Sequence, residues 1–95
     1  MKDVPTDLPG HELVSAGLAD LVAGRETESA LIVAMAAPRL RSLGYDVPSR
    51  EGQTPAHHRL YELLAVGQHD AHSRYNALIG RMVSFARAAE HAQTR

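Results

Sequence analysis

A chain of 95 residues with a formal net charge of −1 is enough for one domain, near the lower edge of what sustains its own core. The absence of cysteine excludes disulfide staples, thiolate zinc sites and cysteine nucleophiles. No apolar run approaches the ~20 residues of a membrane span. The start Met1-Lys2-Asp3-Val4-Pro5 has no signal-peptide character, so a cytoplasmic location is expected.

Eleven Leu, seven Val and two Ile stand against one Phe, three Tyr and no Trp, so the core must be built from close-packed aliphatic side chains. The charges are unevenly spread. Asp3, Asp7, Glu12, Asp20, Glu26 and Glu28 face only Lys2 and Arg25 in the first 28 residues, whereas eight arginines and five acids follow. The front is therefore acidic and the remainder mildly basic.

Residues 1–9, with two prolines and few apolar groups, read as an extended arm. A first helix is expected from Gly10 or His11 to Ala23, with Val14, Leu18, Leu21 and Val22 on its buried face and Gly24 as its stop. Thr27 is a suitable N-cap for a second helix, and Glu28 suits its first turn. This helix carries the run Leu31 to Ala37 and should kink or break at Pro38, which cannot donate to the carbonyl four residues back. Leu40 and Leu43 continue the apolar face to Gly44, where Tyr45 can fold back on Leu40 in a Schellman cap. Tyr45 to Thr54 reads as a linker. Thr54-Pro55 signals a third helix, running to about Val66 and ended by Gly67, with Leu60, Leu64 and His57 or Tyr61 inward. Asp70 caps the longest helix, Ala71 to Ala92, whose stripe is Tyr75, Leu78, Ile79, Met82, Phe85, Ala86 and Ala89. Gly80 within it suggests the close approach of another helix. With no strand-like alternation, the expected fold is all-α. It is a compact four-helix bundle or irregular array over residues 10–92, with a tail at 93–95.

Catalytic patterns fail one by one. His57-His58 and His69-Asp70 suggest an HD-type phosphohydrolase, but no Asp follows Asp70 to complete the cation site. His69 and His72 are two imidazoles where tetrahedral zinc wants at least three protein ligands, so no metal or other cofactor is assigned. A HEPN-like ribonuclease needs an Arg and a His separated by four to six residues. Arg50 and His57 meet that spacing only across the linker, and Arg87 and His91 are too close. No phosphate-cradling glycine loop is present. Nucleic-acid binding through an arginine stripe of Arg74, Arg81 and Arg87 is a further alternative, opposed by the acidic front half and by Asn76 as the sole base-reading candidate.

The run Leu31 to Ala37 is apolar on every side of a helix for nearly two turns. It demands burial on several sides, either by the rest of the fold or partly by a second chain. Leu31, Val33 and Met35, with Asp20, Glu26 and Glu28 as an acidic complement, are therefore the candidate protein-binding residues.

The segments Ala30-Leu-Ile-Val-Ala-Met-Ala-Ala-Pro-Arg-Leu-Arg-Ser-Leu-Gly44 and His72-Ser-Arg-Tyr-Asn-Ala-Leu-Ile-Gly-Arg-Met-Val-Ser-Phe85 resemble small actinobacterial helical proteins. These are similar to antitoxins paired with nucleotidyltransferase-type toxins. The resemblance covers most of residues 11–90 and assigns no individual functional residue. It implies a noncatalytic protein that neutralises a toxin enzyme by direct contact. A homodimer is the alternative partner arrangement.

Overall fold

The computed structural model describes residues 3–49, 54–66 and 70–93. The fold is all-α. Among the described residues there are five helices: α1 (His11–Ala23), α2 (Glu28–Met35), α3 (Ala37–Ser42), α4 (Ala56–Ala65) and α5 (Ala71–Gln93).

The fifth helix arises because the expected second helix breaks. The break lies at Ala36, two residues before Pro38, where φ −93° and ψ 8° leave the helical range. Pro38 then occupies the first turn of α3, where its missing N–H is harmless. A proline clashes with the turn before it, so the chain departs from the helix upstream of the ring.

The caps expected at Thr27 and Gly44 are present. The Thr27 hydroxyl accepts from the Ala30 N–H at 3.1 Å and donates to the Asp20 carboxylate at 2.6 Å. One hydroxyl therefore starts α2 and ties it to the end of α1. At the end of α3 the Tyr45 N–H donates to the Leu40 carbonyl and the Gly44 N–H to that of Arg41, the paired bonds of a Schellman motif. Gly44 has φ 99°, a conformation that a side chain resists. The motif delivers the Tyr45 ring to Phe85, with centroids 6.0 Å apart. The fourth helix starts one residue later than expected: Pro55 is its N-cap residue and makes no side-chain capping bond.

The core sits around α2, which packs against all four other helices. Leu31, Ile32 and Val33 join Val14, Leu40, Leu60, Leu64 and Phe85 among the fully buried side chains. Gly17 allows α1 to lie close on α2, because a Cβ there would overlap the Ser29 carbonyl and a Val33 methyl. Gly80 does not have such a role, since a Cβ at that position meets nothing within 4 Å.

Other inward assignments shift. Val22 is 61 % exposed and Tyr61 42 %, and His57 is exposed too; Leu60 and Leu64 carry the buried face of α4. The expected arm runs through turns, with Val4 and Leu8 packed on the core. The first part of the expected linker is anchored by buried Tyr45 and Val47, and the Arg41 guanidinium donates to the Val47 carbonyl at 2.7 and 3.2 Å. Gln93, placed in the tail, belongs to α5 and donates to the Leu43 carbonyl at 2.7 Å. The stop expected at Gly67 lies outside the described residues.

Candidate functional site

The acidic residues expected to meet a partner are engaged within the chain. Asp20 accepts from Arg25 through Nε at 3.1 Å and Nη2 at 2.9 Å, besides Thr27. The Thr27 hydroxyl first, and the Arg25 fork second, hold its carboxyl below the ordinary carboxylate value. Glu26 pairs with Arg59 on α4, and Glu28 with Arg74 on α5 at 3.2 and 3.3 Å. Glu12 lies 3.9 Å from Arg81 and 2.8 Å from the His11 ring. The front acids and rear arginines are thus complements within one fold. Each surface pair contributes little to stability, but together they remove Asp20, Glu26 and Glu28 as an open acidic face.

The same pairing takes apart the arginine stripe. Arg74 and Arg81 turn towards α2 and α1, whereas Arg87 lies on another side of α5. Arg39 forms a fork with Glu90 at 2.7 and 2.8 Å, which raises the Arg39 pKa and lowers that of Glu90.

Leu31 and Val33 are both 0 % exposed, so they are core residues and not contact residues. They are enclosed because α2 runs through the middle of the fold. Met35 alone of the three apolar candidates reaches the surface, at the last turn of α2. There it lines a groove of about 300 Å³ with Ala36, Pro38, Ile79, Val83 and Ala86 among its walls. The break at Ala36 swings α3 away from the α2 axis, and the small side chains of Ala36 and Ala86 leave the space unfilled. Ile79 and Val83, one turn apart on α5, form the opposite wall. Arg39, held by Glu90, marks one end.

Val83 is the groove residue that the sequence reading missed. The signal was available: it is a large aliphatic residue one step off the buried stripe of α5.

A second cleft, walled mainly by aromatic and imidazole rings, lies between α4 and the start of α5, lined by His57, His58, Tyr61, Glu62, His72 and Tyr75. Among the described residues no group of three or more His, Asp or Glu is arranged to hold a metal ion. His69 and Arg50 lie outside the described residues, so the HD-type pairing and the Arg50–His57 pair are not placed. Arg87 and His91 are both exposed on α5.

No protein-family model, no curated protein and no solved structure matches this chain. Its chemistry must therefore be read from its own surface. Among the described residues no helix is long and apolar enough to cross a membrane. The apolar groove and the ring-lined cleft share no lining residue and offer different chemistry. The groove presents aliphatic walls suited to a partner's apolar side chains. The cleft presents rings and one carboxylate.

Proposed function

We propose that this chain is a noncatalytic helical protein-binding module, an antitoxin-like regulator that neutralises a partner enzyme of nucleotidyltransferase type by direct contact. The contact surface is the groove between the α2–α3 break and α5. The observation that carries this reading is the half-exposed aliphatic set Met35, Ile79 and Val83, lined up beside small alanines across two elements. Such a trough accepts the apolar ridge of an amphipathic helix. Arg87, exposed one turn beyond Val83 and close enough to Glu90 to help lower its pKa, supplies a cation for an acidic residue on that helix.

Co-expression with a candidate nucleotidyltransferase-type enzyme tests the reading. Val83→Glu places a charge in the groove wall without disturbing a fully buried position, so complex formation is expected to fail while the helical spectrum stays unchanged. Glu28→Gln, which touches only an internal ion pair, is expected to bind as the parent does. Normal binding by a folded Val83→Glu variant contradicts the assignment.

A further inference from the structure

The cleft between α4 and α5 concentrates side-chain chemistry that the docking function does not use. Its volume is about 500 Å³. The Tyr61 and Tyr75 rings stand 5.7 Å apart at 57°, forming one corner. The His57 and His58 rings stand 4.5 Å apart at 90°, forming another. The His72 ring is oriented by Asn76, whose Nδ2 lies 3.3 Å from Nε2. Tyr61 remains 42 % exposed, so core packing does not account for so large a ring on this face.

The charge of the lining selects the ligand class. Glu62 brings the lining's carboxylate. Arg59, one turn earlier, bonds Glu26 and also feels the charge of Glu62, but it does not line the cleft. Aromatic faces are electron-rich, so rings and carboxylate together repel anions and attract cations. A compact metal dication needs convergent ligands, which the imidazoles among the described residues do not provide. A methylated ammonium has a diffuse charge and an apolar shell, and adjoining aromatic walls recognise such ions.

We infer that this cleft binds a methylated ammonium group, with Tyr61 and Tyr75 as cation–π walls and Glu62 as the counter-charge. The probe is tetramethylammonium, titrated into the full chain while the Tyr and His ring resonances are followed by NMR. Saturable shifts of the Tyr61, Tyr75 and His72 rings are expected. Choline is expected to bind about tenfold more tightly than its neutral isostere 3,3-dimethylbutan-1-ol, a ratio set by the cation–π attraction. Tyr61→Leu and Glu62→Gln alter exposed side chains and should fold normally, each with weakened binding. Choline and Nε-trimethyllysine, compared directly, separate a free ligand from a modified protein side chain. Absence of saturable shifts, equal affinity for the neutral isostere, or undiminished binding by Tyr61→Leu would each overturn the assignment.

Discussion

Gly17→Ala is the perturbation whose outcome the packing determines most sharply. In an isolated helix this change stabilises by ~1 kcal/mol, because alanine has the higher helical propensity. Here the added Cβ would sit within 3.0 Å of both the Ser29 carbonyl oxygen and a Val33 methyl. The carbonyl belongs to the backbone of α2, so it cannot rotate away, and α1 must lift off α2 instead. Overpacking of this kind costs ~1–3 kcal/mol. Lifting α1 also strains the Thr27–Asp20 tie at the α1–α2 corner. With two overlaps, one of them against backbone, the cost lies at the upper end of that range, so after the propensity gain the net expectation is a loss of ~1–2 kcal/mol, or about 5–15 °C in Tm for a domain of this size. Gly80→Ala is the matched control. Its Cβ meets open space, so the propensity gain survives and Tm should rise by a few degrees. Thermal unfolding followed by circular dichroism measures both. A Gly17→Ala variant as stable as the parent refutes the close-packed α1–α2 crossing.

Val33→Asp puts an unpaired carboxylate at a fully buried position, a cost above ~4 kcal/mol. Loss of helical signal in the isolated chain is expected, and a native spectrum would show that Val33 is not enclosed. Thr27→Val removes both the α2 cap and the hydroxyl donated to Asp20, with an expected loss of ~1–2 kcal/mol in urea unfolding. Stability should also depend on acid pH. Asp20 and Glu90 have folded pKa values below their unfolded ones, so their contribution is complete above the ordinary carboxylate value of about 4 and is lost as pH falls through the folded values. Urea unfolding against pH should therefore show a decline in the acid range that flattens in an Asp20→Asn, Glu90→Gln double variant. An unchanged slope would mean that neither pair holds in solution.

The elements whose signals are local were readable from the residues. Thr27 as a cap, Gly24 and Gly44 as stops, Tyr45 folding onto Leu40, and the inward Leu60 and Leu64 all depend on neighbours a few positions away. What depends on distant partners was not readable. Glu28 looks like a free surface acid until α5 brings Arg74, 46 residues later, to its carboxylate. Leu31 and Val33 look like an excess of apolar surface until four helices close around α2. Gly17 and Gly80 are alike in sequence, and only the placement of α2 separates a required glycine from a dispensable one. For the candidate site, Met35 was found by composition. Ile79 was assigned to the core stripe, because a helix carries no local mark of where a neighbouring helix ends, and Val83, one step off that stripe, was passed over.

The central claim is that the partner contact lies in the Met35, Ile79 and Val83 groove and not on the acidic front. Parallel co-purification of Val83→Glu and of a Glu26→Gln, Glu28→Gln double variant with a nucleotidyltransferase-type enzyme that binds the parent chain tests it most directly. The groove variant, still helical, is expected to lose the enzyme and the acid variant to retain it. The reverse pattern would contradict the account and return the contact to the acidic residues.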